Sequence, residues 1–396
     1  MLLDDASNML TGRVIPFWEN LHDRENGGYY GMVDFSLNTD RHAEKGTILN
    51  SRVLWFFSTA AMLLKRDDLK REAAHAYRFL KNACLDKEYG GGYWSVNYDG
   101  TVRDDAKYTY NFAFAVYALS AYYRLTSEEE ALDIARGLYR LIEEKCADGD
   151  GYLESFDRCF HPTANEKLSE HGVAAENTMH TLLHVFEAYS ALYEVTGDAE
   201  VAQKMRKILH IFLEKVYHPS KRRLEVFFDA HMNSLLDLHS YGHDMEASWL
   251  LDRGCGLLKD KKLSRKVSAM TSQLTAQVYR EGYHRHSLWN ECCRGEEDKM
   301  RVWWVQAEAV TGFLHAYRKE PDCREYRQAA ADVWNYIETY LVDPRPGSEW
   351  FWQVDDDGHP DSRKPIVEPW KCPYHNGRMC LGILAEQAGG KNGFFL

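Results

Sequence analysis

Histidines stand at matching positions in several apolar segments of the sequence, and histidine is the side chain best suited to move protons near neutral pH. His243 and His375 each lie at the start of such a segment, and His180 and His184 occupy the comparable place in a third. A neutral imidazole can take a proton and later return it, so these residues are candidates for general acid and base catalysis. The competing interpretation is that they are buried structural histidines with satisfied hydrogen bonds. Their recurrence at one place favours a catalytic role for His243, His375 and His184.

Two charged residues also lie within apolar segments. Arg52 is followed by Val53-Leu54-Trp55, and a buried guanidinium needs either a structural ion pair or an anion, such as the oxyanion of a reaction intermediate. Glu246 lies one helical turn after His243, where it could fix the tautomer of that ring or form a plain polar pair with it. His239 could orient His243 equally well.

Aromatic and amide side chains accompany these residues. Tryptophan usually fills cores, but its flat face can also stack on a pyranose ring, which makes a tryptophan beside polar residues a candidate for sugar binding. The candidates for substrate binding at or beside the segment starts are Tyr110, Asn111, His180, Trp303, Trp304 and Trp370.

Metal and cofactor chemistry have little support in the sequence. His180 with His184, and His239 with His243, have the spacing of two metal ligands on one helix face. Neither pair belongs to a His-Glu-x-x-His motif, and phosphate-binding loops, dinucleotide fingerprints and the Gly-x-Ser-x-Gly elbow are missing. We therefore predict no metal and no cofactor. Proton transfer at a carbon next to a sugar carbonyl needs only a base and a fixed cation or donor at the enolate oxygen.

A short glycine-aromatic motif recurs about every 60–70 residues and divides the chain into six units. Its clearest copies are Gly27-Gly28-Tyr29-Tyr30, Gly90-Gly91-Gly92-Tyr93-Trp94 and Asp150-Gly151-Tyr152. Each unit holds a loop or short β-hairpin, then a helix rich in apolar and aromatic residues, then a helix of ordinary amphipathic pattern. The apolar helices are predicted to begin near Thr47, Thr109, Asn177, Gly242, Val302 and Cys372.

Helices that are apolar on nearly all sides must be buried, and amphipathic helices can cover them. Six such pairs predict an all-α fold, an (α/α)6 barrel of six helical hairpins with short β-hairpins in the connecting loops. An open solenoid of helical pairs is the alternative. No linker divides residues 1–396, so we predict a single catalytic domain. In a barrel the starts of the inner helices meet at one mouth, which would bring the candidate residues into one cleft.

Composition limits the kinds of partner that the protein can have. With 48 Lys+Arg against 60 Asp+Glu, a net charge of −12 and no basic run, we expect no binding to nucleic acid. The longest mostly apolar stretch, Val53–Leu64, is shorter than a bilayer span, and the N-terminus lacks a secretory signal pattern, so we expect no membrane association. The nine cysteines include no Cys-x-x-Cys, which favours reduced thiols and a cytoplasmic protein. We expect a monomer.

Three motifs point to a known family. Arg301-Val302-Trp303-Trp304-Val305-Gln306-Ala307-Glu308-Ala309, His239-Ser240-Tyr241-Gly242-His243-Asp244-Met245-Glu246-Ala247-Ser248-Trp249-Leu250 and Pro369-Trp370-Lys371-Cys372-Pro373-Tyr374-His375-Asn376-Gly377-Arg378 resemble the cellobiose 2-epimerases of the N-acylglucosamine 2-epimerase superfamily. The resemblance runs from about Ile15 to Cys380. It implies an (α/α)6-barrel enzyme that converts the reducing-end glucose of β-1,4-linked disaccharides into mannose and the reverse. Cellobiose, lactose and mannobiose are the substrates it implies.

The same resemblance implies catalytic roles for five residues. His243 and His375 resemble two general acid/base histidines that act on opposite sides of C2, through a cis-enediolate that forms after ring opening. Arg52 resembles the residue that binds the enediolate oxygens. His184 and Glu246 resemble residues that assist ring opening and closing and hold the sugar hydroxyls.

Further residues would bind the substrate. Trp304 and Trp370 resemble stacking platforms, and Glu308 matches the family within the motif around Trp303 and Trp304. His180 departs from the family, in which asparagine is usual at this place, and this difference could shift substrate preference or rate. The loop Glu154–Glu176 is longer than its counterparts in the other units, and we predict that it acts as a lid.

Other activities remain open on the same barrel. An aldose–ketose isomerase would form the same enediolate but return the proton to C1. A glycoside hydrolase would need two carboxylates about 5–10 Å apart and could use Asp244, Glu246 and Glu308. A non-enzymatic sugar-binding module would keep the tryptophans but would have no use for His243 and His375.

Overall fold

Six helices that are buried on nearly all sides form the inner wall of the molecule. We describe a computed structural model of the chain over residues 2–165, 167–168 and 171–387. In the first inner helix every residue from Thr47 to Ala61 is buried, because this stretch carries apolar residues around its whole circumference. In chain order the helices are α1 (Leu2–Met9), α2 (Ile15–Asn20), α3 (Thr47–Leu64), α4 (Asp67–Phe79), α5 (Thr109–Thr126), α6 (Glu129–Leu141), α7 (Met179–Thr196), α8 (Ala199–Ile211), α9 (Tyr241–Leu257), α10 (Lys261–Glu281), α11 (Trp303–Lys319), α12 (Arg324–Tyr336) and α13 (His375–Gln387).

The helices close into a ring. The inner helices α3, α5, α7, α9, α11 and α13 each contact the next, and α13 contacts α3. The amphipathic helices α4, α6, α8, α10 and α12 pack outside their partners, and α1 packs against α13. The predicted (α/α)6 barrel is therefore confirmed, and the open solenoid is wrong. The inner helices begin within three residues of the predicted positions, the largest difference being His375 for the predicted Cys372.

A recurring detail of the outer ring reflects the internal repeat. A five-residue π-helical turn joins α1 to α2, and a turn of the same kind follows each of α4, α6, α8 and α12. These turns, in which the backbone bonds run from residue i to i+5, are Leu10–Val14, Leu80–Cys84, Ile142–Cys146, Phe212–Val216 and Ile337–Leu341. Their equivalent positions show that the units share backbone geometry as well as a sequence motif.

Short strands fix the starts of five of the six inner helices. The strands that immediately precede α3, α5, α7, α9 and α11 each pair with a strand from the following loop. The loops also contain the expected short β-hairpins, and the pairs between loops tie these helix starts at the barrel mouth to the next unit. The strands are β1 (Lys45–Gly46), β2 (Ser95–Val96), β3 (Val102–Asp104), β4 (Lys107–Tyr108), β5 (Ala147–Asp148), β6 (Gly151–Tyr152), β7 (Ser155–Phe156), β8 (Asn177–Thr178), β9 (Tyr217–His218), β10 (Arg223–Leu224), β11 (Phe227–Phe228), β12 (Leu238–Ser240), β13 (Tyr283–His284), β14 (Ser287–Leu288), β15 (Glu291–Cys293), β16 (Glu296–Asp298), β17 (Arg301–Val302) and β18 (Gln353–Val354).

Buried ion pairs hold the glycine-aromatic loops. Lys45 Nζ donates to Asp23 Oδ2 at 2.6 Å and to the carbonyl oxygen of Gly27 at 2.7 Å, and both charged side chains are fully buried. Lys107 and Asp86 repeat the arrangement one unit later. The loop needs glycine at position 28, where φ is +68° and a Cβ atom would lie 2.6 Å from the Phe79 ring. In the first two units the glycine-aromatic motif is thus a lysine-clamped turn.

The apolar character of α3 follows from its place in the barrel. By length and composition Thr47–Leu64 could cross a bilayer, but 83% of this span is buried inside the protein, as expected of a core helix. All nine cysteines are free thiols.

We expect Lys45→Met to lower the free energy of unfolding by about 3 kcal/mol, because it leaves the buried Asp23 carboxylate without its counter-charge. Urea denaturation of both proteins would measure this loss. Lys81→Met is the matched control, since Lys81 pairs with the largely exposed Glu130 and should cost less than about 1 kcal/mol. Equal losses in the two variants would show that the buried pair does not hold the loop.

Candidate active site

A cavity of about 220 Å³ opens at the barrel mouth, where the inner helices begin. Its walls contain most of the residues that the sequence analysis selected from all six units. The selected residues that line it are Arg52, Tyr110, His180, His184, His243, Glu246, Trp303, Trp304, Trp370 and His375.

Two selected residues lie behind the cavity wall. Asn111 is fully buried, and its Nδ2 donates to the carbonyl oxygen of Tyr93 at 3.2 Å, so it connects α5 to a glycine-aromatic loop. Glu308 lies behind His375. The cavity is also lined by three residues that the sequence analysis missed, Lys167, Leu168 and Trp352. Trp352 could have been found from the motif Ser348-Glu349-Trp350-Phe351-Trp352, whereas Lys167 and Leu168 carry no pattern.

His375, at the start of α13, is oriented by a carboxylate. Its Nδ1 lies 2.7 Å from Glu308 Oε1, and Glu308 also accepts hydrogen bonds from Trp249 Nε1 and Arg378 Nη2. Arg378 and His375 lower the pKa of Glu308 to about 2, and burial lowers the pKa of His375 to about 3 although Glu308 opposes this. An ionised carboxylate can only accept, so Nδ1 carries the proton and Nε2 presents a lone pair. The ring is therefore set up as a neutral base.

His243 is held in a different way. Its Nδ1 lies 2.7 Å from Ser240 Oγ, and its ring stacks on His180 with centroids 3.9 Å apart and planes 19° apart. Desolvation, then the rings of His180 and His184, lower the pKa of His243 well below its ordinary value. The lowered pKa of each ring favours the neutral form of His243 and His375, with Nδ1 engaged and, among the described residues, no hydrogen bond at Nε2.

The expected partners of His243 are wrong. Glu246 does not fix its tautomer, because Glu246 points to His184 Nε2 at 4.0 Å and to Arg378. His239 does not orient it either, because its Nε2 bonds Asp244 Oδ2 at 3.0 Å in the barrel wall. The i, i+3 spacing on α9 places both residues at the cavity, but Glu246 pairs with Arg378 instead of with His243.

Arg378 occupies the centre of the barrel beneath the cavity. Its guanidinium donates to Glu187 on α7 and Glu308 on α11, each at 2.7 Å, and to Glu246 on α9. Arg378 and His184 lower the pKa of Glu187 to about 2, and Glu187 Oε2 lies 2.9 Å from Nδ1 of His184. Burial and the charge of Glu308 raise the pKa of Glu246. Each of these carboxylates therefore lies within 4.0 Å of a cavity histidine.

Arg52 is a buried cation with no acidic partner in the described part of the chain. Only 3% of it is exposed, and its donors reach the Tyr110 hydroxyl at 3.0 Å and the carbonyl oxygen of Trp370 at 3.2 Å. The guanidinium faces the rings of Phe114 and Tyr374 at 4.2 and 4.7 Å. Of the two alternatives for a buried arginine, the structural ion pair is absent here, and an anion formed in the cavity would fit.

Three side chains have the spacing of metal ligands, but an arginine already neutralises their carboxylates. Oxygen and nitrogen atoms of Glu246, Glu308 and His375 lie within 4.8 Å of one another. The guanidinium of Arg378 donates to both carboxylates, and His375 Nδ1 is bonded to Glu308. The donor set is therefore neutralised by the protein itself, and it fits a buried hydrogen-bond network.

Comparison with known proteins identifies the family to which the chain belongs. The model of the N-acylglucosamine 2-epimerase (GlcNAc 2-epimerase) family matches residues 27–376. The chain belongs to this family. A cellobiose 2-epimerase of Eubacterium cellulosolvens is 48% identical over 391 residues, which are 95% of this chain and 96% of that protein.

Solved structures agree with this assignment to the N-acylglucosamine 2-epimerase family. The crystal structure of a sugar epimerase from a ruminal bacterium matches with a TM-score of 0.96 and 44% identity, over 98% of this chain and 99% of that one. A cellobiose 2-epimerase from Bacillus thermoamylovorans matches with a TM-score of 0.94 and 43% identity, over 97% and 99% of the two chains. The resemblance found in the sequence is confirmed, and the chain is a carbohydrate epimerase or isomerase.

In this member of the N-acylglucosamine 2-epimerase family, the long third loop reaches the cavity. Leu168, which is 8% exposed, and Lys167 contribute to its lining. Lys167 Nζ is bonded to Asp104 Oδ2 at 2.6 Å, and His171 Nε2 lies 2.7 Å from Glu291 Oε1. Residues 166, 169 and 170 of the predicted lid lie outside the described residues. The described part is fastened to two different loops at the mouth.

We expect His375 to be a neutral Nδ1–H imidazole at about pH 5, where an ordinary histidine is mostly protonated. Burial lowers its pKa, so the neutral form persists as the pH falls through 6.5. Long-range 1H–15N NMR of the labelled imidazoles would identify the tautomer and its midpoint. The urea-unfolded chain is the control, since its histidines should titrate near 6.5. A protonated His375 at pH 6 would contradict the assignment.

Proposed function

We propose that the protein epimerises C2 of the reducing-end glucose of cellobiose, giving glucosyl-mannose, and catalyses the reverse reaction. One observation carries this proposal: two neutral histidines share a cavity with a guanidinium that has no acidic partner among the described residues. Removal of a C2 proton needs a neutral base and a cation at the oxygens that become negative. The names of the relatives supply the substrate class.

Ring opening comes first, because C2 becomes acidic only next to a free C1 aldehyde. It requires that the proton of the C1 hydroxyl leave and that the ring oxygen gain one. His184 and Glu246 lie 4.0 Å apart at the cavity wall, and the raised pKa of Glu246 favours its protonated form. We assign the two proton transfers to this pair.

Proton transfer at C2 then uses the two neutral imidazoles. One Nε2 takes the C2 proton, the C–H electrons form a C1=C2 double bond, and the C1 oxygen becomes negative in a cis-enediolate. Arg52 stabilises this charge through donors already in place before the reaction. The second imidazole, protonated from the solvent at the cavity mouth, returns a proton to the other face of C2 and becomes neutral again, and the aldehyde re-forms.

The two histidines differ in how they are prepared for these steps. The carboxylate of Glu308 forces His375 to be an acceptor at Nε2, which suits the base. Ser240 Oγ can accept a hydrogen bond from Nδ1–H of His243, so Nε2 can gain a proton to give an imidazolium, which suits the acid. In the reverse direction neutral His243 takes the proton at Nε2 and protonated His375 returns one, so the same site can run in both directions.

Unpaired donors and aromatic walls suit a neutral sugar. His180 Nε2, Trp303 Nε1 and Arg52 Nε are buried and lack partners in the described structure, and sugar hydroxyls would satisfy them. Trp304 and Trp370 present half-buried rings in the same walls.

Lactose and mannobiose carry the same β-1,4 linkage and a C2–H beside the reducing carbon, so we include them as substrates. We further propose a cytoplasmic monomer that needs no cofactor, a setting that the nine free thiols favour.

Incubation of the full chain with cellobiose in D2O, without added metal or nucleotide, should yield glucosyl-mannose with deuterium at C2. Proton NMR would follow the C2 and anomeric signals. Free glucose would instead identify a hydrolase, and a ketose end with deuterium at C1 an isomerase. No change in cellobiose would overturn the proposed substrate.

Single substitutions in the same assay separate the two histidines. His243→Asn and His375→Asn should each slow epimerisation by about 10²–10⁴-fold. Each variant should still exchange the C2 proton of one epimer, glucose-ended for one variant and mannose-ended for the other, because one base remains on one face. His315→Asn, which breaks a pair with Asp252 outside the cavity, is the control. Exchange of the same epimer by both variants would contradict a two-base mechanism.

The lid prediction can be tested at Leu168. Leu168→Gly should raise KM for cellobiose roughly three- to tenfold with little change in kcat, because it removes a contact made equally in the ground and transition states. Steady-state kinetics would measure both constants. Leu235→Gly alters a leucine that is 42% exposed and should change neither. An unchanged KM in Leu168→Gly would show that the loop is not a lid.

A further inference from the structure

A second cavity, with no lining residue in common with the first, lies on the outer wall of the barrel. Its volume is about 590 Å³, within the range of small-molecule sites. It is bounded by the end of α12 with the following π-helical turn, by the tip of the β13–β14 hairpin, and by the turn after β18. We call it the outer cleft.

Two residues that line the outer cleft each carry a buried polar atom without a partner in the described structure. Arg301 is fully buried, and its Nε and Nη1 bond Ser287, Lys299 and Asp356. Its Nη2, however, has no hydrogen bond in the described structure, and neither has the buried hydroxyl of Tyr336. Such groups are costly unless a ligand or water satisfies them. Three residues that line the mouth cavity also carry buried polar atoms without partners in the described structure.

All charged side chains of the outer cleft except Asp357 are already paired within the described structure. Arg285 and Arg301 both bond Asp356, and His286 Nδ1 lies 2.9 Å from Asp332 Oδ2. An anion would meet the Asp332 and Asp356 carboxylates, and a cation would meet the two guanidinium groups. The cleft therefore favours a neutral ligand with many donors and acceptors.

An exposed aromatic ring adds an apolar surface. Tyr340 is 41% exposed, and its ring lies 4.7 Å from that of Tyr336. The exposed side chains of Asn335 and Thr339 stand on the same helical end. An aromatic face next to planar amide, carboxylate and guanidinium groups matches a sugar ring, which presents C–H bonds on its face and hydroxyls at its edge.

We propose that the outer cleft is a second, non-catalytic binding site for a neutral oligosaccharide of β-1,4-linked hexoses. The β-1,4 linkage of this ligand rests on the proposed function, because the disaccharide that we propose for the mouth cavity has that linkage. The neutral, polyhydroxylated character of the ligand rests on the outer cleft alone.

Borohydride-reduced cellotetraose tests the proposal, because it has no aldehyde and cannot be turned over. Its binding to the full-length protein would be measured by calorimetry in the Trp304→Ala background, in which the mouth cavity is impaired. Addition of Tyr340→Ala should weaken the remaining binding by about fivefold or more. Tyr89→Ala, at a tyrosine that is 44% exposed elsewhere, should leave it unchanged. Tyr340→Ala alone should not change the rate of cellobiose epimerisation.

Equal binding by the Tyr340→Ala and Tyr89→Ala proteins would overturn the proposal. So would inorganic phosphate that competes with the reduced tetraose, since it would identify an anion site. If cellobiose is not epimerised but Tyr340-dependent binding of the reduced tetraose persists, the proposed function is wrong and the proposal for the outer cleft is supported.

Discussion

One buried arginine holds the catalytic end of this barrel together. Arg378 joins α13 to glutamates on α7, α9 and α11, so four of the six inner helices meet at a single guanidinium. Two of those glutamates also bond Nδ1 of a cavity histidine. The charge network that stabilises the barrel axis is therefore the same network that sets histidine tautomers above it. An isolated carboxylate at this depth would be protonated or would destabilise the fold, and the guanidinium keeps Glu187 and Glu308 ionised.

The loops at the barrel mouth provide a second set of contacts that hold the cavity. Each strand pair at the mouth links the start of one inner helix to the next unit, and the lysine-clamped turns hold those loops against the barrel. The geometry of the cavity thus depends on a rigid frame at two levels, a buried ionic centre below and a paired rim above. Between them, rings such as Trp304, which lies 4.5 and 5.4 Å from the rings of His243 and His375, define the cavity.

The barrel and most of the site could be predicted from the sequence, because periodic burial and a six-fold repeat constrain both. Helix starts such as Thr47 and Thr109 agree with the structure. Pairings between side chains were less predictable: Glu246 and His243 have the right spacing and line the same cavity, but Glu246 is bonded to Arg378 and His243 to Ser240. Arg378 was quoted only as the end of a motif, since nothing in its neighbourhood shows three glutamates more than 60 residues away. Lys167 and Leu168 enter the cavity by loop geometry, which leaves no periodic trace.

The contact of α1 with α13 has a consequence for how the chain is made. The outer face of the last inner helix is covered by the first helix, so that pair cannot form until α13 has left the ribosome. Earlier units can pack on their neighbours during translation, but the ring stays open, and its axis lacks Arg378, until α13 emerges. The cavity is therefore completed only after α13 has been made, and a nascent chain that stops before this helix has helices but no closed cavity.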